Sequence, residues 1–450
     1  MTTLKERLSS SFGPLWQSVG RGSAALAVAT IVGGALVYMA TPLVTHVFDP
    51  AALGDYGVYL SIVAFLSAVA SRKYEETIAL PSKDDDAWRL VRSVIANAVR
   101  FCLMLTAVLA IAFLARAVGL WHGHLPVVLW VVPVGIFFAV AQAVMLRWVV
   151  RHESYSPLVR ARIAQGGSMA AGQPALGVAT GLTTGAAGAI PLAAGDALST
   201  GIGFYMMTRG PHGARSLRQL IGFKRDQVML RRYRPFMTAG LPASLMNTFT
   251  LQIPLLVIAW IYGSADAGQF ALAQRLIVTP IAVITSAVTI VLIRQSAIRM
   301  KDPASVRQMF SRTSMLLGLL GLPLLFLVVV DVGPLITSLL GAQWAPAAEM
   351  LRPLAFLYFT NLVTTPWSAA VDSAQRQDVF LLRESVRLVL VGGAAVFVAV
   401  AEPSAQFAVE ILCAVGAVSY IWYYFVCSWA LDHPRNLEAV DEPHPSGGER

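Results

Sequence analysis

Apolar and polar positions fall in long alternating blocks along this 450-residue chain. About twelve apolar blocks are long enough to cross a hydrocarbon core of roughly 30 Å as helices rising about 1.5 Å per residue. They lie at 22–45, 56–78, 93–116, 126–149, 158–179, 187–207, 236–261, 269–293, 313–331, 347–370, 379–400 and 406–430. Helices satisfy their own backbone groups in lipid, so the pattern predicts an all-α polytopic membrane protein. The first block is too long and too rich in glycine for a cleavable signal peptide, and is expected to stay as the first helix.

The basic residues sharpen the picture. All of the 34 Lys and Arg except Arg116, Arg275 and Arg352 fall on one side of the expected membrane, with Arg376, Arg383 and Arg387 counted in the last basic gap. This asymmetry predicts that both termini and the long centre lie in the cytoplasm, in a bacterial inner membrane. The centre divides the chain into a six-helix lobe over 1–208, a basic linker over 209–235, a second six-helix lobe over 236–431 and a polar, disordered tail over 432–450. Leu217, Leu220, Ile221 and Val228 leave two forms open for the linker, an interfacial helix or a plain basic loop. An even number of helices per lobe makes any repeat a parallel one, about an axis along the membrane normal. A trace of it is visible. Phe48 and Tyr262 are each followed, after five intervening residues, by a glycine, a polar and an aromatic residue: Gly54-Asp55-Tyr56 and Gly268-Gln269-Phe270. Pro42 and Pro254 precede the two runs.

Composition excludes more than it assigns. A net charge of +9 would suggest nucleic acid in a soluble protein, but here anionic inner-leaflet lipids are the expected counterions, and no nucleic acid is expected. Cys102, Cys413 and Cys427 all lie in apolar blocks and do not suggest a disulfide framework. His122 and His124 lack a nearby third ligand, so no metal is expected, and no cofactor motif is present. Gly177, Gly181 and Gly185 have the spacing of a helix-packing face. Charges at membrane depth are the stronger signal, because they tend to face a cavity. Arg275 lies about two turns into the eighth block. Asp196 is central in the sixth, Glu75 is at the inner end of the second with Arg72, and Arg21 opens the first. Asn97, Asn247, Gln252 and Asn361 add hydrogen-bonding groups inside helices.

Two stretches carry a family likeness. Pro42, Leu43, Thr45, Phe48, Pro50, Gly54 and Tyr56, followed by Arg72, Tyr74, Glu75, Ile78, Leu80 and Pro81, form the first. Gly341, Trp344, Ala347, Leu351, Arg352 and Pro366 form the second. The order of these motifs resembles the polysaccharide-biosynthesis flippases, including O-antigen (Wzx-type) translocases, of the multidrug/oligosaccharidyl-lipid/polysaccharide exporter superfamily. Leu53, where the family usually has an aromatic residue, and the added Lys73 and Glu76 depart from the pattern. The resemblance implies two lobes that alternate access and move a polyprenyl-pyrophosphate-linked oligosaccharide from the inner to the outer leaflet. It implies no catalytic residue, and as partners a polysaccharide polymerase and a chain-length regulator. Arg275, Arg72 and Arg21 are then candidates for the phosphates, and Asn97, Asn247, Gln252 and Asn361 for sugar hydroxyls. Asp196 and Glu75 are candidates for ion coupling. The rival readings are a cation-coupled multidrug or solute antiporter, a membrane polysaccharide polymerase or ligase, and a non-transporting scaffold.

Overall fold

The computed structural model describes residues 21–119, 126–185, 188–210, 226–299, 303–373 and 377–432. Among them every regular element is helical. The first half comprises Arg21–Met39 (α1), Thr41–Val47 (α2), Pro50–Ser71 (α3), Asp84–Ala117 (α4), Val132–Arg151 (α5), Tyr155–Thr184 (α6) and Ala189–Thr208 (α7). The second comprises Gln227–Arg232 (α8), Arg234–Ile261 (α9), Ser264–Arg299 (α10), Pro303–Val329 (α11), Gly333–Leu340 (α12), Ala345–Ser373 (α13), Gln377–Ala401 (α14) and Ala405–Asp432 (α15). His122, His124, the linker positions 211–225 and the tail from 433 lie outside the described residues. So does the side chain of Arg21.

Twelve of these helices are 19 to 36 residues long. Eight spans are both long and apolar enough to cross a membrane, the first of them running through α1 and α2. Over their described residues α6, α7 and α13 are less apolar. Each of them packs against two or more neighbouring helices. A helix faced largely by protein needs less apolar surface than one faced by lipid, and it can carry small and polar residues instead.

The two halves are built alike. In the first, α1 packs on α6, α6 on α7, α7 on α5, α5 on α4 and α3 on α5. In the second, α9 packs on α14, α14 on α15, α15 on α13, α13 on α11 and α10 on α13. Each contact is the counterpart of the one before it, in the same chain order, which is the signature of a parallel pseudo-twofold. The halves meet where α3 crosses α10, flanked by α3 on α9 and α1 on α10.

Helix ends differ from the apolar blocks. The second helix is α3, which starts six residues before its block and stops at Ser71. Helix α4 starts at Asp84 and not at 93, because Asp84, Asp85 and Asp86 suit the positive end of a helix dipole. Between them, Arg72 and Lys73 both adopt the left-handed conformation, at φ 52° and 60°. A 3-10 turn over Tyr74–Ala79 follows and buries Tyr74 and Ile78. The Tyr74 hydroxyl donates to the Leu230 carbonyl at 3.0 Å, and Arg151 Nη1 donates to the carbonyls of Ile78 and Ala79 at 3.3 and 3.1 Å. Arg151 also pairs with Asp84 at 3.0 Å and so holds that carboxyl below the usual carboxylate range. The family-like run from Arg72 to Pro81 is thus a clamp joining α3, α5 and α8. It docks the end of the linker, where Asp226 caps α8 through Val228 N and Met229 N.

The glycine run in α6 behaves unevenly. Only Gly177 is a close-packing position, against Phe48. A side chain at Gly181 would meet nothing within 4 Å, and Gly185 ends the helix at φ 80°. A close backbone contact of α6 falls outside the run, at Gly166, whose Cβ position is 2.4 Å from the Gly33 carbonyl oxygen.

Candidate functional site: a cavity between the halves, closed on one face

The glycines of the internal repeat lie against each other. A Cβ on Gly54 would stand 1.8 Å from the Ser264 carbonyl oxygen, and one on Gly268 1.7 Å from that of Pro50. Only glycine lets α3 and α10 approach this closely. Around this crossing, polar groups close the face that carries the short connections. Ser264 Oγ donates to Asp55 Oδ1 at 2.6 Å. The Thr45 carbonyl accepts from Gln343 Nε2 at 2.9 Å and from Trp344 Nε1 at 3.1 Å. Gln269 ties the same turn to α10, donating to the Gln343 carbonyl at 2.8 Å and accepting from Ala347 N at 3.2 Å. Gly341, at φ 105°, makes the turn that presents Gln343 and Trp344. Thr45, Gly54 and Trp344, separated in sequence, are therefore parts of one seal.

Behind the seal is a cavity of about 820 Å³ lined by both halves. Four of the residues selected from sequence line it: Arg275, Asn247, Gln252 and Asn361. Arg275 Nη2 donates to the Val37 carbonyl at 3.4 Å, at the end of α1, where the chain breaks before Pro42. Asp196 stands close enough to Arg275 to share its field and lies beside the hydroxyls of Tyr56 and Tyr59, yet it is not on the cavity wall. Gln173 Nε2 donates to Tyr56 at 3.1 Å and completes a buried polar line from α6 to α10. At the junction of the halves, Ser61 Oγ donates to Gln252 Oε1 at 2.9 Å. Gln274 Nε2 donates to Tyr358 at 2.8 Å.

Three selected residues lie elsewhere. Arg72 is exposed at the end of α3, and Asn97 is buried in α4 away from the wall. Glu75 sits in the 3-10 turn, where burial raises its carboxyl above the usual range. The clamp, and not the cavity, uses this segment.

The larger correction concerns Arg383 and Arg387. Counted by pattern with the basic loops, they lie two and three turns inside α14, with side chains only 12% and 13% exposed. Arg383 pairs with Glu384 and stacks over Phe380 and Tyr423, at 4.3 and 4.5 Å from the ring centroids. Arg387 lies 4.6 Å above the Tyr420 ring and donates to Asn247 Oδ1 at 3.2 Å. All of these residues except Phe380 line the cavity. The available signal was spacing. Positions 383, 384 and 387 share one helix face, and Tyr420 and Tyr423 share another on α15.

The wall therefore presents three guanidiniums, one carboxylate, several amides and four tyrosines, Tyr56, Tyr358, Tyr420 and Tyr423. Such a wall can hold a bulky anion with hydroxyl groups, the guanidiniums gripping acidic oxygens in pairs of parallel hydrogen bonds.

Comparison with known proteins agrees with this architecture. The succinoglycan biosynthesis transport protein ExoT of Rhizobium meliloti (strain 1021) is 28% identical over 187 residues, 41% of this chain and 37% of that protein. The teichuronic acid biosynthesis protein TuaB of Bacillus subtilis (strain 168) is 25% identical over 166 residues, 36% and 34% of the two chains. These matches span about a third of either relative. Among solved structures, an inward-facing multidrug resistance MATE family transporter of the MOP superfamily aligns at TM-score 0.65 and 15% identity. That alignment covers 93% of this chain and 96% of the other. The lipid II flippase MurJ in an inward closed conformation aligns at TM-score 0.65 and 12% identity, over 90% and 88%. These two share the fold. A family model for polysaccharide biosynthesis proteins matches residues 50–349. The chain is a multi-pass membrane protein with the MOP-superfamily fold, and it belongs to the polysaccharide biosynthesis protein family.

Proposed function

We propose that this protein flips a polyprenyl-pyrophosphate-linked oligosaccharide across the cytoplasmic membrane by alternating access of its two halves. One observation carries the reading: a cavity between the halves, closed on one face and lined by Arg275, Arg383 and Arg387 among amides and tyrosines. The pyrophosphate is met by guanidiniums between the protein walls of the two halves, where charge pairing is stronger than in bulk water. Asn247, Gln252 and Asn361 meet sugar hydroxyls, tyrosine rings pack on sugar faces, and the polyprenyl tail stays in lipid. Parting of α3 and α10 at the Gly54–Gly268 crossing then releases the sugars to the far side. No bond is made or broken. Asp196, beside Arg275, is the proposed ion-coupling group, since neutralising it would free the guanidinium for cargo.

In this reading the sealed face is extracytoplasmic, and the termini and basic ends lie inside, next to anionic lipids. A thiol reagent added outside cells should then label Ser338→Cys but not Gln227→Cys; the reverse would invert the orientation. A polymerase and a chain-length regulator are the proposed recipients of the flipped unit. Deleting the gene should leave lipid-linked units built but confined to the inner leaflet, with surface polysaccharide lost. Intact surface polysaccharide with raised drug sensitivity would replace this reading with the antiporter.

A further inference from the structure

The charges on α14 are arranged in an unequal way. Glu384 is 1% exposed and stands between Arg383 and Arg387. Its Oε1 is taken by Arg383, whose Nε donates at 2.6 Å and whose Nη2 pairs with the same oxygen. Arg387 receives much less. Its Nη1 is 3.9 Å from Glu384 Oε2, beyond hydrogen-bond length, and its other partners are neutral: Asn247 Oδ1 at 3.2 Å and the Tyr420 hydroxyl at 2.8 Å. Arg387 Nε and Glu384 Oε2 are buried and have no hydrogen-bond partner among the described residues. Among the described side chains, both guanidiniums of this group stand beside one carboxylate on the cavity wall. Buried polar atoms are normally paired, and two orphans at one charged cluster mark a place that something else completes.

We propose that Arg383 and Arg387 form an exchangeable anion site in which Glu384 is a built-in counter-anion that a diphosphate displaces. The proposal rests on the flippase reading and adds the site's working principle. A diphosphate can take Arg387 through Nε and a terminal nitrogen together, a paired geometry that the carboxylate at 3.9 Å does not offer. It then competes with Glu384 for Arg383. When the diphosphate leaves, the carboxylate returns to Arg383. Affinity is lowered by the fraction of time that Glu384 holds the site, which favours release as well as capture. Glu384 therefore opposes binding while Arg387 promotes it. A merely structural ion pair would make both variants weaken binding.

The test titrates farnesyl pyrophosphate, inorganic pyrophosphate and farnesol separately into the full-length protein in lipid nanodiscs. Glu384→Gln keeps the size of the side chain and an amide oxygen for Arg383, and should bind farnesyl pyrophosphate about tenfold tighter than wild type. Arg387→Gln should bind it about tenfold weaker, with farnesol unchanged in both. If inorganic pyrophosphate follows the same order, the diphosphate alone is recognised. If only farnesyl pyrophosphate does, the site reads a lipid-borne headgroup. Either supports the exchange. Should Glu384→Gln fail to fold, Glu384→Asp, whose shorter carboxylate withdraws from Arg383, should still tighten binding. Absence of diphosphate binding by wild type would overturn both the exchange and the flippase reading. Wild-type binding that depends on Arg275, but is unchanged or weakened in folded Glu384→Gln or Glu384→Asp, would overturn the exchange alone.

Discussion

Replacing Gly54 by alanine should stop transport by preventing the two halves from closing at the sealed face. The added methyl would stand 1.8 Å from the Ser264 carbonyl oxygen, where real contacts stay beyond 3.0 Å. Backbone does not rotate away as a side chain can, so α3 and α10 must part by roughly 1 Å, at an overpacking cost of about 1–3 kcal/mol. Spent against the sealed state alone, that shifts the equilibrium by a factor of about 5 to 150 toward a cavity open on that side. Leu60 lines the cavity and the three native cysteines are buried, so Leu60→Cys is a clean reporter. Its labelling by an impermeant thiol reagent added outside should rise in the Gly54→Ala background. Gly268→Ala should behave the same way, because its Cβ meets the Pro50 oxygen at 1.7 Å. Gly172→Ala and Gly181→Ala, with nothing within 4 Å, serve as controls of no effect. Wild-type export by Gly54→Ala would show that the crossing is not a moving seal.

Arg275→Ala should lose at least about tenfold of export at normal protein abundance. A charge-assisted hydrogen bond to the cargo contributes about 1.5–3 kcal/mol, and the methyl replaces it with nothing. Arg275→Lys should keep part of the activity, since an ammonium supplies the charge without the paired hydrogen bonds. The position also has a structural claim, because Arg275 holds the Val37 carbonyl and shares the field of Asp196. If that claim dominates, Arg275→Ala and Asp196→Ala should both reduce the amount of protein in the membrane. Immunoblots of membrane fractions beside the export measurement separate the two cases. Full export by Arg275→Ala at wild-type abundance would remove it from the site.

Much of this architecture is legible in one dimension. Blocks of lipid-facing length must be apolar, so the helices show themselves even where their ends do not. The repeat around Gly54 and Gly268 is visible because a twofold axis places both glycines at one crossing, where each needs the same small residue. Arg275 stands out because an apolar stretch surrounds it. Helix ends such as Asp84 escape the same logic, since a helix that has left the hydrocarbon can continue on charged residues. Arg383 and Arg387 were hidden for a related reason. They lie near the basic end of α14, and a pattern that counts positive charge cannot separate a loop arginine from one facing inward two or three turns along. Arg72 and Glu75 were drawn toward the site by their motif, which the structure spends on clamping α3 to α5 and to the end of the linker.

Movement of a lipid-linked sugar across the bilayer can be read with purified protein in sealed vesicles. A fluorescent polyprenyl-pyrophosphate-linked oligosaccharide is placed in the vesicle membrane, and a sugar-modifying enzyme added outside reports the fraction exposed to it. With wild-type protein the enzyme should reach nearly the whole pool, while Gly54→Ala and Arg275→Ala vesicles should retain the protected inner half. A protected half that persists with wild-type protein, under every ion gradient applied, would mean that this protein does not flip the lipid-linked sugar.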